Sequence, residues 1–96
     1  VADGVPLAEV DRACRAVLVD AGLEEAFSHG TGHGVGLDIH ENPAVASTAS
    51  GSLRVGQVIT VEPGAYVVGL GGVRWEDTVL VTGNGHRPLT GSPKDL

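Results

Sequence analysis

The stretch that decides the fold runs from Phe27 to Pro43 and reads FSHGTGHGVGLDIHENP. It carries three of the four histidines of the chain, His29, His33 and His40, and four glycines within the seven positions 30–36. Glycine at alternate positions lets the backbone adopt angles that other residues avoid, and it lets a second segment approach closely. The stretch is therefore suited to bring an imidazole up against groups from elsewhere in the chain.

Two later carboxylates are candidates to meet this stretch. Glu62 follows the apolar run at residues 58–61, and Glu76 lies within the largely apolar residues 73–82. A carboxylate on the buried side of a strand is costly unless it is paired, hydrogen-bonded or bound to a metal. Carboxylate oxygens with one imidazole suit Mn²⁺, Co²⁺, Fe²⁺ or Zn²⁺. The pattern therefore makes a metal site of His33, Glu62 and Glu76 possible.

Plainer interpretations of these residues remain open on the pattern alone. Each glutamate could be a solvated edge-strand residue or an ion-pair partner, since Arg74 lies two positions from Glu76 and on the same strand face. A histidine in a glycine-rich loop could simply be hydrogen-bonded there. An anion-binding glycine loop is less favoured, because no lysine is near and the stretch leads into a strand, with 37–40 alternating apolar and polar, rather than into a helix.

A helical pattern precedes the histidine stretch, over residues 6–21. Its apolar side chains recur at steps of three and four and so share one face. They are Leu7, Val10, Cys14, Val17, Leu18 and Ala21. Pro6 suits the first turn and Gly22 the C-terminal stop. The pattern predicts a helix lying on a sheet, with Asp11 and the other charged residues mostly on other faces and Cys14 as a small buried side chain.

Short strand-like runs follow the histidine stretch. They cover residues 57–62, 65–68, 73–82 and a last piece near 86–89. The dipeptide Asn84-Gly85 is a strong signal for a two-residue hairpin turn, whereas 42–53, rich in Ala, Ser, Thr and Gly, predicts a surface loop. The fold class is predicted as α+β, with one N-terminal helix followed by an antiparallel β-sheet with hairpins.

Composition limits the classes of partner. A net charge of −6 with only six basic residues argues against nucleic acid, which requires clustered Lys and Arg. No apolar run approaches the roughly 20 residues that span a bilayer, and the first residues do not resemble a secretion signal. Cys14 is the single cysteine, so an internal disulfide is excluded and a reducing, cytoplasmic setting is the expectation.

Three motifs together carry a family resemblance. They are HGTGHGVGLDIHENP at 29–43, VEPG at 61–64 and GVRWEDT at 72–78. In this order and spacing the chain, from Phe27 to Thr82, resembles the pita-bread metallopeptidases, which include Xaa-Pro dipeptidase (prolidase), aminopeptidase P and methionine aminopeptidase. The resemblance implies that residues 1–96 form the C-terminal part of the pita-bread fold.

The resemblance also implies a set of metal ligands. His33 matches the single histidine ligand, Glu62 a glutamate that binds one metal, and Glu76 the glutamate that bridges two. Glu62 also matches the residue that serves as proton shuttle in catalysis. The cofactors implied are two divalent ions, Mn²⁺ or Co²⁺ first, with Zn²⁺ or Fe²⁺ possible, which activate a water molecule for attack on the peptide bond.

Further side chains match positions around the substrate. His29 and His40 correspond to catalytic histidines that line the pocket and hydrogen-bond to the scissile carbonyl or the proline side. Arg74 and Tyr66 correspond to substrate-contacting positions or to residues behind the ligands. Asp77 follows Glu76 where methionine aminopeptidases usually carry histidine, which favours the proline-specific branch.

The function implied is a metal-dependent peptidase that releases the N-terminal residue from Xaa-Pro peptides. The alternatives are a methionine aminopeptidase-type enzyme, a creatinase-like member of the fold, and a pita-bread binding or scaffold module without catalytic metal. Retention of the three ligand positions together with His29, His40 and Arg74 favours the peptidase, because a scaffold does not need them.

Two aspartate ligands of the family have no counterpart in this sequence. Asp3, Asp11, Asp20 and Asp38 do not stand in the strand context that the family uses. We therefore expect residues 1–96 to be the C-terminal portion of a catalytic domain whose upstream half supplies both aspartates, and to be inactive alone. Half of such a sheet exposes an apolar edge, so a homodimer or association with the missing half is expected.

Overall fold

The computed structural model describes residues 1–23, 27, 29–36, 40–67, 69 and 71–91, without the side chains of residues 41 and 67. The described part contains one helix followed by antiparallel strands, which confirms the predicted α+β class. The elements are α1 (Leu7–Asp20), β1 (Gly32–Gly34), β2 (Glu41–Val45), β3 (Val58–Val61), β4 (Gly64–Val67), β5 (Gly71–Arg74), β6 (Asp77–Thr82) and β7 (Gly85–Pro88).

The helix α1 ends at the predicted glycine. Gly22 takes a φ of 76°, and its N–H donates to the carbonyl of Val19 at 3.0 Å, while the N–H of Leu23 donates to that of Leu18 at 2.8 Å. These two bonds form the Schellman arrangement, in which a left-handed residue satisfies the last carbonyls of a helix. The stop signal in the sequence is therefore confirmed.

The predicted buried face of α1 is only partly right. Leu7 and Val10 pack into the core, but Val17 is 68% exposed. Asp11, expected to face away from the sheet, is completely buried. Its position follows from helical geometry, because a residue four places after Leu7 lies on the same face as Leu7.

The strands form two sheets within the described residues. The larger has five strands in the order β2-β1-β3-β6-β7, and the smaller pairs β4 with β5. Each described pairing is antiparallel. The run 73–82, predicted as one strand, is divided: β5 ends at Arg74 and β6 begins at Asp77. The break lies opposite Pro63, which has no N–H for a sheet ladder.

The hairpin between β6 and β7 is present but shifted by one residue from the prediction. Thr82 pairs with Gly85, so Gly83 and Asn84 form the two-residue turn rather than Asn84 and Gly85. Gly85 has a φ of 151° and is the first residue of β7. A two-residue hairpin turn is therefore present, as predicted, one residue earlier in the sequence.

The surface loop predicted at 42–53 is wrong at both ends. Residues 42–45 belong to β2, and both Val45 and Leu53 are fully buried. The carbonyl of Leu53 accepts from the N–H of Gly4 at 2.8 Å, and its N–H donates to the carbonyl of Val5 at 2.9 Å. Burial of Val45 and Leu53 therefore holds this segment against the core, although its composition predicted a surface loop. The strand predicted at 37–40 falls mostly on residues 37–39, which lie outside the described residues.

The core lies between the first half of α1 and the larger sheet. It consists of Leu7, Val10, Val45, Leu53, Ile59, Val79 and Val81. The second half of α1 instead faces the β4–β5 hairpin across an apolar groove of about 530 Å³, whose walls include Val17, Val73 and Trp75. Among the described residues, no helix combines the length and the apolar character needed to cross a bilayer.

Gly32 lies where β1 and β3 leave no room for a side chain, so its replacement is a direct test of the fold. A Cβ at Gly32 would overlap the carbonyl of Thr60 on β3. We expect Gly32→Ala to lower the free energy of unfolding by about 1–3 kcal/mol, because the two strands must separate. Urea denaturation followed by circular dichroism measures this.

The matched control is Gly83→Ala. A Cβ at Gly83 would meet no atom within 4 Å, and the residue does not take a left-handed φ, so the same replacement there should leave the urea midpoint nearly unchanged. Equal midpoints for the two variants would contradict the close approach of β1 and β3.

Candidate functional site

Glu62 and Glu76, the two glutamates singled out by the sequence, lie where the chain passes from the larger sheet to the smaller one. Val61 pairs with Asp77 in the larger sheet, and Gly64 pairs with Arg74 in the smaller one. Between these two pairs lie residues 62–63 on one side and 75–76 on the other, and they include Glu62 and Glu76. The N–H of Glu62 donates to the carbonyl of Thr31 at 2.6 Å, which ties Glu62 to the histidine stretch.

His33 on β1 is held so that one ring nitrogen is available. Its backbone N–H donates to Oγ1 of Thr60 at 3.1 Å, and its Nδ1 lies 2.9 Å from the carbonyl oxygen of Gly34. A carbonyl oxygen only accepts, so this contact favours hydrogen at Nδ1 and a lone pair at Nε2. Nε2 lies 3.6 Å from Oε2 of Glu62. Metal-binding histidines are commonly oriented by such a bond from the second nitrogen.

The carboxyl groups of Glu62 and Glu76 contact each other. Loss of hydration raises the pKa of Glu76, although 41% of its side chain is exposed, and the hydrogen bond and negative charge of Glu62 raise that pKa further. The charges of Arg74 and His33 act in the opposite direction without cancelling the rise. Nη2 of Arg74 lies 3.6 Å from Oε2 of Glu76. Two adjoining carboxylates and an imidazole lone pair are donors that a divalent cation accepts.

The ligand candidates meet in pairs. His33 approaches Glu62, and Glu62 contacts Glu76. Across the part of the chain that the structure describes, no three His, Cys, Asp or Glu side chains are arranged as a group that could hold a metal ion. The donor chemistry therefore fits a metal, while the ligand set remains a prediction.

His29 carries a buried nitrogen without a partner. Its Nδ1 lies 2.6 Å from the carbonyl oxygen of Gly30, and its ring packs edge-on against Phe27 and Tyr66, with centroids 5.1 and 5.5 Å apart. Nε2 is buried and makes no hydrogen bond to any of the residues that the structure describes. A buried polar atom left unsatisfied is costly, so Nε2 of His29 is a place where a polar ligand group would gain a bond.

The remaining predicted residues, His40 and Tyr66, lie beside His33 and His29. The ring of His40 is 4.3 Å from that of His33, centroid to centroid, and the His40 residue is exposed. Tyr66 lies across Gly72, where any Cβ would overlap its ring. Gly64 stands against both His29 and Tyr66. The structure thus groups His40 with His33 and Tyr66 with His29.

The sequence analysis missed a buried polar network at the start of the histidine stretch. Oδ1 of Asp11 accepts from Oγ1 of Thr31 at 2.8 Å, and Arg15 donates to both carboxylate oxygens, at 3.0 and 3.2 Å. The same guanidinium donates to the carbonyls of Phe27 at 3.2 Å and His29 at 3.3 Å, and it lies 4.2 Å above the Phe27 ring centroid. The i,i+4 spacing of Asp11 and Arg15 was the available signal.

Two side chains on α1 have pKa values shifted by burial and by their neighbours. Burial raises the pKa of Asp11, but the hydrogen bonds from Arg15 and Thr31 and the charge of Arg15 outweigh it and leave that pKa below its ordinary value. For Cys14, burial and then the negative charge of Asp11 raise the pKa of the thiol. Cys14 is half-buried and unbonded to another cysteine, in keeping with a side chain that packs rather than reacts.

Comparison with known proteins gives a consistent family. The sequence model of metallopeptidase family M24 matches residues 1–83. The Xaa-Pro dipeptidase of Pyrococcus horikoshii is 45% identical over 93 residues, which are 97% of this chain and 26% of that protein. An uncharacterized peptidase of Staphylococcus saprophyticus is 50% identical over 91 residues, 95% of this chain and 26% of its own length. The chain thus spans about a quarter of these curated relatives.

Solved structures agree with the predicted fold. Prolidase from Pyrococcus furiosus superposes with a TM-score of 0.96 at 44% identity, over 98% of this chain and 28% of that one. One helix followed by an antiparallel sheet therefore has the arrangement found in the pita-bread fold of prolidases, and the fold prediction is confirmed. The resemblance inferred from the three motifs is confirmed as well.

The depressed pKa of Asp11 predicts a pH-dependent contribution to stability. Its carboxylate stabilises the fold above the unfolded-state pKa of about 3.8, and this contribution is lost as the pH falls through the lower folded-state pKa. We expect Asp11→Asn to lower the free energy of unfolding by about 2–3 kcal/mol at pH 7. The difference between wild type and variant should narrow below about pH 4.

Urea denaturation at a series of pH values measures this difference. Asp20→Asn, at an exposed position of the same helix, controls for the loss of one carboxylate. A difference between wild type and Asp11→Asn that is as large at pH 3 as at pH 7 would contradict the assignment.

Proposed function

Because the chain belongs to metallopeptidase family M24, we propose that it is the C-terminal portion of a catalytic domain that releases the N-terminal residue from Xaa-Pro peptides. The observation that supports this most is that Glu62, at the break between the two sheets, approaches His33 on one side and contacts Glu76 on the other. The coverage of only about a quarter of the curated relatives supports a longer catalytic domain, and an upstream portion with two aspartate ligands is part of the proposal.

The proposed ligands are Nε2 of His33 and the carboxylate oxygens of Glu62 and Glu76. Oxygen donors with one imidazole favour two divalent ions of the Mn²⁺ or Co²⁺ type, with Zn²⁺ or Fe²⁺ possible. When bound, such ions would lower the pKa of a water molecule and polarise the peptide carbonyl. The donation from Nδ1 of His33 to Gly34 supports a ligand role, because it keeps the lone pair at Nε2.

The residues of this chain would then divide the proton transfers. Glu62 would accept a proton from the attacking water at a carboxylate oxygen and deliver it to the departing proline nitrogen, which leaves as an amine. Glu76 would be kept in place by Arg74, whose guanidinium lies 3.6 Å away. The pairing of these two residues supports a role for Arg74 behind the ligands.

His29 and His40 would orient the substrate. With hydrogen at Nδ1, a neutral His29 offers a lone pair at its buried Nε2 and accepts a substrate N–H, whereas a protonated His29 donates there to a developing oxyanion. Tyr66, edge-on to His29, would contact the same part of the substrate. The unsatisfied Nε2 supports this role, since a bound substrate removes the cost of leaving it unpaired.

Specificity for proline at the second position distinguishes this proposal from a methionine aminopeptidase, a creatinase-like enzyme or a scaffold. It is supported by relatives described as an Xaa-Pro dipeptidase and as prolidase. Other relatives are peptidases of uncharacterized specificity. A cytoplasmic location and a homodimer, or association with the upstream half, belong to the same proposal.

The test is hydrolysis by the full-length protein that carries this segment, after chelation and after re-addition of Mn²⁺. We expect an Xaa-Pro dipeptide to be cleaved only with metal, and in preference to the matching Xaa-Ala and Met-Ala peptides. Glu76→Gln should lower kcat/KM by about 100-fold or more, because loss of a ligand exceeds the usual effect of changes behind the ligands. Elemental analysis should show fewer ions bound to this variant.

Glu9→Gln is the matched control, since Glu9 pairs with Arg12 on the exposed side of α1. This variant should keep both metal content and activity. The proposal fails if the remetallated protein cleaves no Xaa-Pro peptide, or if Glu76→Gln is as active as Glu9→Gln. Preference for Met-Ala would favour the methionine aminopeptidase alternative.

A further inference from the structure

The buried network of Asp11, Arg15 and Thr31 joins α1 to the histidine stretch at three points. Arg15 holds the carbonyl oxygens of Phe27 and His29, and Asp11 holds the hydroxyl of Thr31. These points run from Phe27 to Thr31, with His29 at their centre. The carbonyl groups of Phe27 and His29 and the side chain of Thr31 are therefore held from the helix.

Thr31 also connects the network to Glu62, which lies at the break between the two sheets. Its N–H donates to the carbonyl of Val45 at 2.8 Å, and its carbonyl accepts from the N–H of Glu62 at 2.6 Å. Both the Thr31 and Asp11 residues have no exposed surface. One buried threonine thus bonds to the helix, to β2 and to Glu62, so a shift of Thr31 would move His29 and Glu62 together.

Stability alone does not explain an ion pair at this place, where the Asp11 side chain is fully buried and that of Arg15 is 28% exposed. Replacing such a pair by apolar side chains of similar volume is often neutral or stabilising, because desolvation offsets the attraction between the charges. What the network provides that apolar side chains do not is a set of directed bonds to two carbonyls and a hydroxyl. These bonds fix the orientation of the backbone, and not merely its burial.

We propose that Asp11, Arg15 and Thr31 are positioning residues that set the orientation of the His29 imidazole and of Glu62 for catalysis. This inference rests on the proposed function for its kinetic consequence only. Misplacement of reacting groups by about 1 Å can cost roughly 100-fold in rate. Loss of the network should therefore reduce kcat rather than raise KM.

The decisive variants are Thr31→Val and Thr31→Ser in the full-length protein. Valine has the shape of threonine but lacks the hydroxyl that donates a hydrogen bond to Asp11, whereas serine retains that hydroxyl. We expect Thr31→Val to lower kcat for an Xaa-Pro dipeptide by about 10- to 100-fold and Thr31→Ser to restore most of it. Thr48→Val, at an exposed position, is the matched control and should behave as wild type.

A spectroscopic measurement separates positioning from a merely structural role and from failure of the proposed function. In metal-free protein labelled with ¹⁵N-histidine, the His29 signal, assigned with His29→Gln, should report hydrogen at Nδ1 in wild type and Thr31→Ser. In Thr31→Val it should change towards a mixture of tautomers, while the signal of His86, which is exposed, stays constant. This result does not depend on peptidase activity.

Each outcome decides. A changed His29 signal with reduced kcat supports the inference, and a changed signal in a protein that cleaves no Xaa-Pro peptide supports the positioning while refuting the proposed function. A lower melting temperature with unchanged His29 signal and kcat overturns it. If Thr31→Val does not fold, Arg15→Lys decides by the same readouts, since lysine keeps the charge but cannot bind Asp11 and both carbonyls as the planar guanidinium does.

Discussion

The close approach of β1 to β3 at Gly32 is the constraint on which the site depends. The two backbones are so near that any side chain at Gly32 would collide with the carbonyl of Thr60. This contact places the N–H of His33 on Oγ1 of Thr60 and the carbonyl of Thr31 on the N–H of Glu62. Backbone geometry thus brings the imidazole to the first carboxylate, before any attraction between their side chains acts.

The second carboxylate arrives by a different route, through the break in the sheet. Pro63 cannot donate to a ladder, so β3 does not continue, and the neighbouring strand breaks at the same level. Glu76 lies in that second break, where loss of hydration and then the contact with Glu62 raise its pKa. A fold that needed only stability would avoid two adjoining carboxylates, because like charges this close oppose each other. Function can exploit such a pair, since a cation relieves the repulsion.

Local patterns in the sequence were sufficient for the elements that local forces decide. Gly22 ends the helix as predicted, and the strands near 57–62 and 65–68 appear with small changes of boundary. Features set by tertiary contacts escaped the pattern. The break at Glu76 depends on Pro63 in the neighbouring strand, and the burial of Val45 and Leu53 depends on their distant partners. Asp11 was predicted to lie with the other charged residues away from the apolar face of the helix, although its position four residues after Leu7 places it on the same face as Leu7.

The network around Asp11 holds a backbone segment that its glycines leave with few side-chain contacts. Residues 30, 32, 34 and 36 have no side chains, so the segment that follows the buried Phe27 offers less apolar packing than β3 and β6. Its backbone is held largely through its own N–H and C=O groups and the few side chains that remain. Arg15 supplies donors to two of those carbonyls, and Asp11 neutralises the guanidinium and binds Thr31. The partly buried ion pair of Asp11 and Arg15 therefore compensates for the glycines. The glycines allow the strands to approach closely, and the directed hydrogen bonds from the helix keep this backbone ordered.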